Sequence, residues 1–249
     1  MDLYESIYSR RDIRDFRPDP IPPEVLRRIL DAAHHAGSVG LMQPWNFLIL
    51  RSVAVRRRVH EVFQAENARA SARYEGDRRS LYESIKLQGI LDAPLNLVVT
   101  CHRDRKGPHV LGRDSIRDAD IYSTCCAVQN FWLAARAEGV GVGWVSILDP
   151  ATIASILEFP EEVMLVAYLC VGYPVEFADR PLLERVGWET RTPLEDVVFE
   201  EKWGRRPNFD SKDDETAGWA GNPLSGSAPD LTSTGSVGSN HEPRRVPPA

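Results

Sequence analysis

Residues 9–16 read Ser-Arg-Arg-Asp-Ile-Arg-Asp-Phe. Arg10, Arg11 and Arg14 alternate here with Asp12 and Asp15. A guanidinium is planar, permanently charged, and donates in a fork that fits two oxygens of one phosphate. Three of them just ahead of a helix would make a phosphate clamp. The same residues could instead form a solvated charged face, with arginines paired locally to aspartates at little gain in stability. Spacing alone leaves both readings open.

Other stretches invite chemistry and mostly lose it on inspection. Gly-Val-Gly-Val-Gly-Trp, residues 139–144, suggests a dinucleotide loop, but such a loop follows a strand and opens a helix. Here the glycines follow a helical pattern and precede a strand, so a helix stop and tight turn is the expectation. His34 and His35 are adjacent, and neighbours on a helix diverge by about 100°. They do not share a metal, and no HExxH spacing occurs. His102 and His109 flank an Arg/Lys/Gly loop and read as exposed loop residues. Ser146 lies in a strand pattern without a GxSxG elbow. The cysteines, 101, 125, 126 and 170, form no CxxC pair; reduced, buried thiols are expected. Residues 37–47, GSVGLMQPWNF, are less easily set aside. Small residues let a flat ligand approach the backbone, and Met42 could pack softly on a ring. A plain helix–strand connector explains them equally well.

Elements that could position these residues follow from periodicity. Pro22 and Pro23 fit a first helical turn, and Val25, Leu26, Ile29, Leu30 and Ala33 recur at helical spacing, with Gly37 at the end. Val55, Val59, Val62 and Phe63 mark a second helix, and 119–138 a long one stopped by Gly139. Asp149-Pro150 caps a short helix. Strands are expected at 46–50, 95–101, 142–147 and 163–173, with an extended or helical arm at 193–201. Alternating helices and strands give an α/β or α+β class with a covered sheet.

The chain has 249 residues, enough for one large domain or two small ones. Its net charge of −6 argues against bulk nucleic-acid binding. No apolar run is long enough for a membrane helix, and residues 1–12 carry no apolar signal core. Nearly all the basic residues are arginine, which we read as genome composition. Residues 1–204 form the expected folded domain. Residues 205–249, rich in Pro, Gly, Ser and Thr and without periodicity, are expected to be a disordered tail.

The segments RRDIRDF, AAHHAGSVGLMQPWNFLIL and AVQNFWLAARAEGVGVGWVSI resemble, in order and spacing, the FMN-dependent nitroreductase superfamily. With YSTCCAVQNFW and PLEDVVFEEKWG, the likeness narrows to its flavin-consuming branch, the 5,6-dimethylbenzimidazole synthases. It spans roughly residues 4–204. It implies an α+β nitroreductase-like fold, a central mixed sheet covered by helices, in a domain-exchanging homodimer. It implies that Arg10, Arg11, Asp12, Ile13 and Arg14 hold FMN, with Arg191 as a further phosphate contact. Ser38 and Met42 would border the flavin of the other subunit, Leu111 and Gly112 would belong to a lid at 98–113, and Ser146 would lie beside the redox-active flavin nitrogen. Asp12 and Ser146 would be the catalytic pair, with no metal.

The implied reaction is oxygen-dependent cleavage of reduced FMN to 5,6-dimethylbenzimidazole and erythrose 4-phosphate, supplying the lower ligand of vitamin B12. FMN is then substrate, molecular oxygen co-substrate, and a separate flavin reductase the supplier, in the cytoplasm and away from membrane and nucleic acid. An NAD(P)H-dependent nitroreductase, a reductive dehalogenase of the same fold, and a non-catalytic FMN-binding module remain alternatives. Gly37 departs from the Pro that many relatives carry before the serine.

Overall fold

A computed structural model of the chain describes residues 1–207. Most of the expected tail, residues 208–249, lies outside the described residues. Contacts group Met1–Arg191 as one compact unit and the residues from Thr192 onward as a second. Within the second, a 3-10 turn at Leu194–Asp196 is tied to Arg206, whose Nη2 donates to Asp196 Oδ1 at 2.8 Å.

The first unit is built on strands β1 (Trp45–Leu50), β2 (Leu95–His102), β3 (Gly141–Val145) and β4 (Val163–Gly172), in the order β1-β2-β4-β3. Every neighbouring pair is antiparallel. The expected mixed sheet is thus antiparallel among its named strands, and a parallel pairing enters through an isolated bridge between Asp12 and Val142. Strand side chains alternate between two faces. Leu95, Leu97, Val99, Ala167, Leu169 and Val171 face one core, and Val98, Tyr168 and Cys170 the other. Both faces are covered, which explains why these strands read as near-continuous apolar runs.

Helix α2 (Pro23–His34) buries Leu26, Ile29 and Ala33 on the first face. Helix α5 (Ala119–Ala137), about 28 Å long, buries Ala127, Val128, Phe131, Trp132 and Ala135 beside it. Each Leu, Ile, Val or Phe among these contributes roughly 1.5–3 kcal/mol on burial. Helices α3 (Val53–Ser71) and α6 (Pro150–Ile156) cover the second face through Val59, Phe63 and Ile153. Asp149 caps α6 as expected, accepting from Thr152 N–H at 2.8 Å.

Helices α1 (Leu3–Ser9), α4 (Gly76–Ser84) and α7 (Leu182–Arg185) escaped the periodicity reading. Their reason is shared: α1 buries Ser6 alone, α4 Tyr82 alone, and α7 nothing, so none shows an apolar stripe. Helix α2 ends at His34, earlier than Gly37, closed by the bond from His35 N–H to Asp31 O at 3.1 Å. Cys101 and Cys170 are buried, but Cys125 and Cys126 are exposed on α5, contrary to the expectation of four buried thiols. Among the described residues no helix is long and apolar enough to cross a membrane, and no group of His, Cys, Asp or Glu could hold a metal ion. His34 Nδ1 accepts from Trp45 Nε1 at 3.1 Å.

The glycine run has a different purpose from the one its order suggested. Gly139, at φ +73°, does stop α5, but Gly141 and Gly143 lie inside β3 and form no turn. Strand β3 is at the sheet edge, and residues 12–14 lie along it. A Cβ on Gly143 would stand 1.9 Å from Ile13 O and 2.6 Å from Arg14 Nη1. Backbone cannot give way as a flexible side chain can. Gly143→Ala is therefore expected to cost at least the roughly 1–3 kcal/mol typical of overpacking, read as a lower urea midpoint. A midpoint unchanged from wild type would show that the 12–14 segment is not held against β3.

Candidate functional site

An edge strand leaves a row of backbone groups without partners. On β3 those groups belong to Val142 and Trp144, and residues 12–14 satisfy them. Ile13 N–H donates to Val142 O at 3.0 Å. Trp144 N–H donates to Asp12 Oδ1, and Arg14 Nη2 to Trp144 O, both at 2.8 Å. Arg14 also donates to both Asp12 oxygens, the Nη1–Oδ1 bond being 2.9 Å. Asp12 and Arg14 thus form a bidentate pair, fixed to the backbone of one residue.

The three arginines divide their work. Arg14 is 10% exposed and spends its donors on Asp12, Trp144 O and Ile13 O. Arg11 donates to Tyr8 O at 2.9 Å, Arg10 O at 2.7 Å and Asp179 O, and its Nε is buried without a partner. Arg10 makes no side-chain hydrogen bond to another described residue; its guanidinium lies 4.8 Å over the Trp132 ring. Trp132 Nε1 meanwhile donates to Arg11 O at 3.2 Å, so one α5 indole positions both residues. Burial holds Arg10 below its ordinary pKa; Arg191 and Arg11 push the same way, and Asp12 opposes them. Arg10, with its donors unspent and Arg191 beside it, suits an anion.

These groups line a cavity of about 610 Å³, with Arg10, Arg11, Asp12, Arg14 and Arg191 on its wall. That volume is in the range of pockets that enclose drug-sized ligands. Leu87, Leu182 and Leu183 give it an apolar side. A smaller cavity of about 270 Å³ shares Arg11, Asp12, Arg14, Lys86 and Leu182 with it. A phosphate-bearing ligand with a flat ring fits this mixture of cationic and apolar wall. Burial lifts the Asp12 carboxyl above its ordinary range; Arg14, the Trp144 N–H and Arg10 pull it back, but do not win. The side chain keeps 43% of its surface open, so a proton can reach it.

The remaining expected residues are not on this cavity wall. Ile13 has its side chain in the second core and its N–H on Val142. Met42 is 1% exposed, packed with Val110 and Ala119. Ser38 Oγ accepts from Gln43 N–H at 3.2 Å, bracing a turn in which Gly40, Leu41 and Gln43 all have positive φ. Leu41 and Gln43 are strained there, at about 1–3 kcal/mol each. Leu111 is 86% exposed, and Ser146 is exposed just past β3.

The sequence reading missed Lys86, Leu87, Gln129 and the Leu182–Leu183 wall. Lys86 donates to Asp15 at 2.7 Å and pairs with Asp92 at 2.9 Å. Burial alone would lower its pKa, yet these carboxylates leave it raised. Its rarity was a usable signal, since only four lysines occur in the chain.

A carboxyl whose folded pKa is raised binds its proton more tightly folded than unfolded. Its ionisation therefore costs stability as pH rises from the ordinary carboxylate range through the raised value. Asp12→Asn removes that titration while keeping an acceptor for Trp144 N–H. The Tm of wild type minus that of Asp12→Asn should fall between about pH 4 and neutrality. A difference that rises with pH would show that Arg14 outweighs burial.

The Nitroreductase family model matches residues 7–173. Over 184 residues the chain is 44% identical to the 5,6-dimethylbenzimidazole synthase of Rhodospirillum rubrum, covering 74% of this chain and 87% of that one. It is 42% identical over 204 residues to the 5,6-dimethylbenzimidazole synthase of Rhodobacter capsulatus, covering 82% and 95%. The crystal structure of an iodotyrosine deiodinase bound to FMN and 3-iodo-L-tyrosine superposes with a TM-score of 0.62 at 21% identity, over 81% of this chain and 99% of that one. That likeness is one of fold, and the family match runs through both the arginine block and β3. The chain belongs to the nitroreductase family.

Proposed function

We propose that this chain is a 5,6-dimethylbenzimidazole synthase that consumes reduced FMN with molecular oxygen, releasing 5,6-dimethylbenzimidazole and erythrose 4-phosphate. The observation that carries this reading is Asp12. Its carboxyl is fixed at the wall of a cationic cavity by Arg14 and the Trp144 N–H, with part of its side chain open for proton exchange. A protein that only holds a flavin gains nothing from such a group beside it. The two relatives at 44% and 42% identity carry the name of this activity.

Arg10 and Arg191, with donors unspent, bind the phosphate. Arg11 shapes the backbone between them, and Leu87, Leu182 and Leu183 keep water from one side of the ring. Arg14 and the Trp144 N–H hold Asp12 in one orientation. Asp12 Oδ2 accepts from Arg14 alone, so it is the oxygen that takes up or releases a proton near the ribityl chain. Bound reduced FMN supplies the carbon skeleton of the product and the electrons that oxygen accepts. Ser146, exposed after β3, positions the ring edge.

Ser38, Met42 and Leu111 belong to a homodimer in this reading, where a second copy of the 38–42 turn borders each site and the 103–113 loop that follows β2 covers it. A separate flavin reductase supplies the substrate, in the reducing cytoplasm.

The test mixes purified protein with FMN kept reduced by a separate reductase, admits air, and assays products by mass spectrometry. 5,6-Dimethylbenzimidazole in proportion to protein is expected. FMN reoxidised intact would overturn the reading in favour of a nitroreductase or dehalogenase. Asp12→Asn should bind FMN within a few-fold of wild type and lose product formation by on the order of 10²-fold or more. Arg10→Ala should instead weaken FMN about tenfold, some 1.4 kcal/mol, as read by fluorescence titration.

A further inference from the structure

At the N-terminal end of α5 lies a second charged cluster, centred on Asp120. The Asp120 side chain is fully buried. Its Oδ1 accepts from Arg103 Nη1 at 2.8 Å and from Ile121 N–H at 2.8 Å. Its Oδ2 is buried with no hydrogen-bond donor and faces Arg113 Nη2 at 3.5 Å. Arg113 returns to the other end of the same loop, donating to Arg103 O and, at 3.3 Å, to Gly107 O. Arg103 also reaches Asp118 at 3.1 Å. One buried carboxylate therefore gathers both ends of residues 103–113.

What the loop carries is specific. Val110 packs with Met42 and Ala119. A Cβ on Gly40 would stand 2.6 Å from Val110 Cγ1 and 2.7 Å from Leu111 O. The loop tip thus sits on the strained 39–43 turn at backbone contact. Asp120 and the cavity-lining Gln129 are nine residues apart on α5, about 13 Å of axial rise.

We propose that Asp120 is a positioning residue, which holds the 103–113 loop, with Val110 and Leu111, against the 39–43 turn. Withdrawing the loop would leave Asp120 as an uncompensated buried charge, a costly state, so the loop stays seated. Its bearing on catalysis rests on the reading of this loop as the flavin cover. There, a loosened loop weakens the hold on reduced FMN more than it slows the chemistry.

The experiment compares wild type, Asp120→Asn and Arg113→Met by limited trypsin digestion, with cleavage sites identified by mass spectrometry. Cuts after Arg103, Arg105 and Lys106 should accelerate about tenfold relative to cuts after Arg57 and Arg58 in α3. Normalising to α3 separates loop release from general unfolding. If Asp120→Asn does not fold, Arg113→Met, altered on the loop side, decides the matter. In protein that makes 5,6-dimethylbenzimidazole, both variants should raise KM for reduced FMN about tenfold with kcat changed less than threefold. An unchanged loop-to-α3 ratio, or kcat falling with KM constant, overturns the proposal. Faster loop cleavage in protein that forms no 5,6-dimethylbenzimidazole supports the role of Asp120 and overturns the functional reading instead.

Discussion

The unpaired edge of β3 is the constraint on which the rest depends. A strand at the end of a sheet must find partners for every second residue or leave them to solvent. Here a segment of the N-terminal region supplies those partners, two of them from side chains. Satisfying that edge fixes an aspartate and an arginine at one place. The close approach is possible because Gly143 has no side chain. The same contact that completes the sheet therefore builds the wall of the cavity.

Helix α5 is the second organiser. Its buried face holds the first core together, while its polar and aromatic positions act at three levels along its length. Asp120 gathers the 103–113 loop near its start. Gln129 faces the cavity at its middle. Trp132 supports Arg10 by its ring and Arg11 by its N–H. Arg136 donates to Ser9 O at 3.3 Å and lies 4.0 Å from the Phe177 ring. A rigid helix lets one element set the loop, the cavity and the arginine block in mutual register.

Charge is distributed by function more than by number. Arg14 and Lys86 are neutralised by carboxylates, while Arg11 keeps its charge and spends its donors on carbonyls. Arg10 and Arg191 keep their donors free of other described side chains, and Arg191 lies near enough to disfavour the charge of Arg10. Bringing like charges together costs energy that an anion returns. Asp12 carries a related cost, being less willing to ionise than a free carboxylate. Both costs sit at the cavity, where a phosphate and a proton transfer would use them.

The amino-acid sequence by itself determined the four strands, because each is a short apolar run, with β2 and most of β4 buried on both faces, and the long amphipathic helices, because their buried positions recur at helical spacing. Its spacing made Arg10, Arg11 and Arg14 candidates for a phosphate clamp but left a solvated charged face equally open, and only the family resemblance singled out Asp12. It could not tell which arginine is free, because that depends on carbonyls at Tyr8, Asp179 and Trp144, the last two far along the chain. Nor could it separate the strand glycines from a turn, since the reason for Gly143 is the backbone of Ile13, which lies 130 residues earlier. Short helices with one buried residue or none left no periodic trace. Local pattern records what a residue does within its own element, and the tertiary fold alone decides which distant backbone arrives beside it.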